Sequence, residues 1–268
     1  MKGTKITILL LTTILLLTSC GQKKKKQAEL EIKKSEIENV VLNYVYPLPS
    51  SFELMEMLNE IEAAFIIGVS NPASAVENYK EKDKKALNLG VYLSDMSYSS
   101  IYNRKQEAQD YLVSCDGLVR DLNVDDAFAD DFVADVFENF DNRDTLVSLV
   151  TDATQNVYED FHRKGNKELA YLMASGAWVE AMYLTLIISE NTPLNQKIIS
   201  TIIFQRKSLM DIIVLLDEVK EDDTIRPIRT ALLGIKKVFD QEPIDALTVS
   251  QVDELTKKVD ALRSIIVE

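Results

Sequence analysis

Asp95 and Glu180 are the side chains of this sequence best placed to do chemistry, because each is the lone charge in a long uncharged run. Between Ala86 and Asn103 the one acid or base is Asp95, and between Leu169 and Ser189 it is Glu180, in a chain that is 27% charged. A carboxyl group held where water is scarce needs a partner or takes a raised pKa. Two such groups are the equipment of general acid–base work and, at the right separation, of glycoside hydrolysis. Arg206 is the candidate partner for either. On a helical wheel of about 100° per residue it lies within about 60° of the apolar stripe Ile199, Ile202, Ile203, Leu209, Met210 and Ile213. Its planar fork suits a carboxylate. At the wet edge of that stripe it would instead extend its head into solvent.

Asp95 has further company. The same wheel gathers Asn88, Tyr92, Tyr98 and Tyr102 around it, while Ala86, Leu89, Leu93 and Met96 take the other side. Phenols stack with their rings and bond with their hydroxyls, so Tyr92, Tyr98, Tyr102 and Tyr183 are expected near the carboxyls. Two readings stay open here. One is a pocket for a sugar or other polar ligand, and the other is a structural network between packed helices.

Other chemistries find little to use. The sequence has no Gly-x-Ser-x-Gly, no His-Glu-x-x-His, no P-loop and no Gly-x-Gly-x-x-Gly. The one histidine, His162, is expected as a cation at a helix end, and no metal or cofactor is expected. Cys115 falls on the stripe Ala108, Tyr111, Leu112, Cys115, Val119, Leu122, which predicts a buried, inert thiol without a disulfide. The acidic run 125–144 lacks the glycine of a calcium loop. Phe128, Phe132, Val136 and Phe140 instead mark an apolar helix face, with Asp126, Asp130, Asp131 and Glu138 mostly elsewhere.

The elements that must position these residues read as helices. With 8 Gly and 6 Pro in 268 residues and no sustained alternation of apolar and polar positions, there is little turn chemistry and no sheet signal. Helices are predicted over 51–67, 72–79, 83–102, 104–121, 125–139, 143–164, 167–190, 194–220, 225–240 and 249–266. Caps support them: Ser50-Ser51-Phe52-Glu53 is a capping box, Asn71-Pro72 and Thr192-Pro193 pair a cap with a first-turn proline, and Thr248 precedes Gln251 by three. His162-Arg163-Lys164-Gly165 is a stop, with basic residues in the last turn and glycine at the left-handed position. The expected fold is an all-α array of about nine or ten mostly antiparallel helices in a single domain. The uncharged run 169–189 is long enough for a bilayer, but Ser175, Gly176, Glu180 and Thr185 make a surrounded core helix the better reading.

The start of the chain carries an address. Lys2 and Lys5 precede the apolar run Ile6–Leu17, which is too short to span a bilayer and has the form of a signal peptide. Leu17-Thr18-Ser19-Cys20 resembles the bacterial lipobox, and that resemblance implies lipidation of the Cys20 thiol, cleavage before Cys20 and acylation, palmitate included, of the new terminus. Residues 1–19 are then a cleaved leader, 20–37 a lipidated cysteine with a basic, polar tether, and 38–268 the helical domain. Asn39–Tyr46 is the one stretch with β character. Lys23–Lys26 would either draw the tether to anionic headgroups or serve as a solvated spacer. The formal charge is −13, and −15 once the two lysines of the leader are gone, which excludes nucleic acid as a natural partner.

Tyr46-Pro47-Leu48-Pro49, Ser70-Asn71-Pro72, Leu87-Asn88-Leu89-Gly90-Val91-Tyr92 and Gly176-Ala177-Trp178-Val179-Glu180 resemble motifs of a group of uncharacterised helical lipoproteins of Bacteroidetes bacteria. The resemblance implies a lipid-anchored protein and a helical fold, and carries no activity with it; the expected location is the cell envelope, at the outer membrane. The leading expectation is a non-enzymatic envelope protein that binds a partner protein or a small polar ligand. The alternatives are a hydrolase using Asp95 and Glu180, and a structural spacer.

Overall fold

A computed structural model describes residues 64–124, 131–190, 196–220, 222–243 and 246–268. Among these the regular structure is helical throughout, with no strand. After a short 3₁₀ helix, Ala73–Asn78, come α1 (Lys82–Ile101), α2 (Lys105–Asp121), α3 (Phe132–Glu138), α4 (Arg143–Arg163), α5 (Lys167–Glu190), α6 (Gln196–Asp217), α7 (Ile225–Phe239) and α8 (Val249–Val267). The all-α array expected from the sequence is what forms.

The hub is α5. It packs on α1, α4, α6 and α8, while α2 covers α1, α3 bridges α2 and α4, and α7 sits against α6 and α8. Helix α5 is long and apolar enough to cross a membrane by composition, yet 89% of its apolar window is buried by the rest of the protein. A helix that is apolar all round needs neighbours all round, and four helices supply them.

Two glycines set how closely α1 and α5 approach. A Cβ on Gly90 would come within 2.6 Å of the Ala177 nitrogen and closer still to the Met173 carbonyl oxygen. A Cβ on Gly176 would collide with the Leu87 carbonyl in the same way. Backbone therefore lies on backbone at this crossing, and Ser94 Oγ donates across it to the Ala177 carbonyl at 3.0 Å. The consequence is functional geometry: polar residues one or two turns away, Asp95 on α1 and Glu180 on α5, are brought face to face.

Local signals behave as their chemistry dictates. Thr248 and Gln251 form a full capping box at the start of α8. Gly165 adopts φ +77° after His162 and Arg163, with Asn166 N donating to the Phe161 carbonyl at 2.8 Å. Cys115 is fully buried and free, and burial pushes its thiol well up. Phe132, Val136 and Phe140 point into the core while Asp131 and Glu138 are exposed. His162 lies between the rings of Tyr158 and Tyr171, at 4.6 and 5.6 Å.

Three expectations are corrected. Residues 64–69 are not helical, so the helix predicted over 51–67 does not extend through its described end. In place of the α-helix predicted over 72–79 there is a 3₁₀ helix, Ala73–Asn78, and Pro72 occupies its cap position without a side-chain bond. Asn71 does not cap it, because its amide is drawn inward to Tyr79 and Asn88. The leader, Cys20, the tether, Asn39–Tyr46, the Ser50 capping box, Thr192-Pro193, Asp126, Phe128 and Asp130 lie outside the described residues.

Candidate functional site: a buried carboxyl pair under an arginine

The polar face of α1 is real and it is dry. Asn88, Tyr92, Asp95 and Tyr98 each have no exposed surface, and Glu180 of α5 has none either. The third member comes from α8. Arg263 Nε donates to Glu180 Oε2 at 2.6 Å and Nη2 donates to Oε1 at 2.9 Å, a bidentate fork, with a further 3.3 Å bond from Nη2 to the Val69 carbonyl. The guanidinium carbon stands 4.0 Å from the ring centroid of Tyr183, so the phenol face carries part of the cation. Burial works against the Arg263 charge, but Glu180 and then Asp95 hold its pKa above the ordinary value.

Asp95 and Glu180 face each other within hydrogen-bond reach, and two adjacent buried carboxylates cannot both be ionised. Desolvation, and after it the Glu180 charge, push the Asp95 carboxyl well above the usual range. Desolvation raises Glu180 too, but Arg263 and the Asp95 hydroxyl pull it back. The proton therefore belongs on Asp95. Its Oδ2 accepts from the Asn71 backbone N–H at 3.1 Å, while Oδ1 is buried and no donor reaches it. The set is then neutral AspH, Glu⁻ and Arg⁺, with no net buried charge.

A ring of neutral polar groups closes the set. Asn71 Nδ2 donates to the Tyr79 hydroxyl at 2.9 Å, and Tyr92 donates to the Pro72 carbonyl at 3.1 Å. Burial raises the phenols of Tyr79, Tyr92 and Tyr98, and pushes Tyr102 up to about 12, so they stay neutral. The last carbonyls of α8, which have no partner in their own helix, are satisfied from α1 and its approach: Asn88 Nδ2 to Ile266 at 2.9 Å, Tyr79 to Val267 at 3.2 Å.

Of the residues singled out from sequence, Asp95, Glu180, Tyr92, Tyr98 and Tyr183 converge here, with Tyr102 one turn on, its ring 5.1 Å from that of Tyr98. Arg206 does not. It bonds Asp240 at 2.9 Å near the end of α7, with both side chains partly in water. The reason is rotation of α6. Ile198, Gln205, Ile212 and Leu215 are buried as well, which turns the core-facing side away from Arg206 and leaves Met210, a member of the assumed stripe, 43% exposed. Arg263 is the partner, and the same wheel places it within about 60° of Val252, Val259 and Ile266 on the buried stripe of α8.

Chemically the arrangement is an acid beside a carboxylate, the pairing that glycosidases use. Its spacing is different. Retaining enzymes hold their carboxyls about 5–5.5 Å apart and inverting ones wider, to admit the sugar or water. Here the two are close enough to be coupled and neither has any exposed surface, with Arg263 and Asn71 bonded to them. An open recess of about 360 Å³ lies elsewhere, lined by Glu168, Asp217, Glu218 and Asp222, with Asp217 paired to Arg229 and Glu218 to Lys167 and Tyr171. Among the described residues no group of three or more His, Cys, Asp or Glu side chains is arranged to hold a metal.

Compared with protein-family models, with curated proteins and with solved structures, the chain matches none.

Proposed function

We propose that this chain is a lipid-anchored, non-enzymatic protein of a bacterial cell envelope that binds another protein or a small polar ligand, and that the Asp95–Glu180–Arg263 set holds the binding domain in shape. The observation that carries the non-enzymatic reading is the closure of the carboxyl pair: both residues are fully buried, and Glu180 spends both oxygens on Arg263. A catalytic carboxyl has to meet its substrate, and these meet each other. The lipobox Leu17-Thr18-Ser19-Cys20 supports the anchor, and the formal charge of −13 supports a partner other than nucleic acid.

The test is expression with the native leader in a bacterial host, with labelled palmitate, membrane fractionation and cross-linking in intact cells. Label on the wild type, none on Cys20→Ala, and a discrete cross-linked species for the anchored form would support the reading. A chain that matures without label, or that hydrolyses glycosides with an activity abolished by Glu180→Gln, would overturn it.

A further inference from the structure

The segment that leads into the helices is held in an unusual way. From Phe65 to Pro72 the chain is not helical, and only Val69 and Asn71 of it are buried, while Ile67 is 83% exposed and Gly68 turns at φ +78°. An apolar core does not explain its position. Instead, side chains of α1 and α8 read its main chain. The Ile66 N–H donates to the Tyr98 hydroxyl at 2.9 Å, the Val69 carbonyl accepts from Arg263 at 3.3 Å, the Asn71 N–H donates to Asp95 at 3.1 Å, and the Pro72 carbonyl accepts from Tyr92 at 3.1 Å. Two side chains add sequence preference. Phe65 stacks on Tyr98 at 4.9 Å and tilts against Tyr102 at 5.5 Å, with the Arg104 guanidinium 5.1 Å from its ring centroid, and the Asn71 amide reaches Tyr79.

Main-chain groups gripped for affinity and alternate side chains seated for preference are the grammar by which proteins bind extended peptides. We infer that the face formed by α1 and α8 is a peptide-binding groove that residues 65–72 occupy in cis, and that a non-helical segment with an aromatic residue six positions before an asparagine, turning between them as Gly68 does, can replace them in trans. The inference deepens the partner-binding reading by giving the partner a chemistry. It also gives the buried charges a second consequence. Asp95 and Arg263 are both keystones of the fold and contacts to the segment, so the helical body stays satisfied after release only if an incoming main chain supplies the same N–H and carbonyl.

Two measurements on the full-length protein test this. The first is native-state hydrogen exchange at the Ile66 and Asn71 amides. They are expected to exchange through a local opening, at least about 100-fold faster than the slowest amides of α5. Exchange at the same rate as α5, through global unfolding alone, would overturn the inference. The second is fluorescence anisotropy with a labelled peptide of sequence 64–72 added to wild-type protein and to Phe65→Ala, which loosens the resident segment. Saturable binding at least about tenfold tighter to Phe65→Ala is expected, with none for a scrambled peptide. A helical Phe65→Ala protein that ignores the peptide, or that binds the scrambled one equally, would overturn it. Should that variant lose its helical circular dichroism, the exchange result on the wild type decides. Neither readout depends on the anchor, so failure here is distinct from failure of palmitate labelling at Cys20.

Discussion

Arg263 reaches back 83 residues to grip both oxygens of Glu180, tying the last helix of the chain to its central one. The pair is almost dry, with side-chain exposures of 13% and 0%. Replacing one partner of such a pair costs far more than the pair is worth over an apolar substitute, because the survivor keeps its desolvation cost and loses its compensation. That asymmetry makes the trio of Asp95, Glu180 and Arg263 a keystone.

Asp95 is expected to tolerate amide replacement. Asp95→Asn keeps a donor toward Glu180 and an acceptor for the Asn71 N–H, so it mimics the protonated acid. In the unfolded chain Asp95 loses its proton near pH 4, whereas in the fold it holds on well above that. Its contribution to stability is therefore complete below about pH 4 and is lost as pH rises toward the folded value, by about 1.4 kcal/mol per pH unit. Urea midpoints from pH 4 to 8 should show the wild type falling relative to Asp95→Asn, with the variant at least as stable at pH 8. A wild type that gains on the variant with rising pH would place a charge on Asp95 and refute the proton assignment.

Gly90→Ala and Gly176→Ala should each destabilise by at least about 2–3 kcal/mol, because the added methyl group meets backbone that cannot yield. Gly117→Ala and Gly234→Ala are the controls. Each lies inside a helix with open space around its Cβ position, so alanine should be neutral or stabilise by about 0.5–1 kcal/mol. Equal effects at all four positions, measured by thermal or denaturant unfolding, would contradict the close crossing of α1 and α5.

Much of this was legible in the sequence, and the reason is physical. Lone charges in uncharged runs marked Asp95 and Glu180, since a fully surrounded helix admits a charge only where something answers it. Caps at Thr248 and Gly165 fixed their helix ends. What stayed hidden depends on rotation and on non-local pairing. Arg206 and Arg263 both sit beside apolar stripes, and nothing local says which stripe turns its arginine inward. Asn71 reads locally as a cap before Pro72, but Tyr79, eight residues on, and Asn88 of α1 draw its amide away from the helix start. Gly90 and Gly176 look like weak points in two helices until the helices are laid against each other.

Cys20→Ala should leave an unlipidated chain that fails to incorporate labelled palmitate and leaves the membrane fraction or persists as precursor. Membrane fractionation beside the wild type reads this directly. Unchanged maturation and membrane partition of the variant would remove the anchor from the proposed function.

The keystone is tested most directly by a double-mutant cycle on Arg263 and Glu180. Denaturant midpoints would be compared for the wild type, Arg263→Met, Glu180→Gln and the double variant, with Arg206→Met as the exposed-pair control. Each single change is expected to cost about 3–5 kcal/mol, the control less than about 1 kcal/mol, and the double variant at least about 2 kcal/mol less than the two singles together. Additivity within about 0.5 kcal/mol would mean that Arg263 and Glu180 do not hold each other, and would contradict the account at its centre.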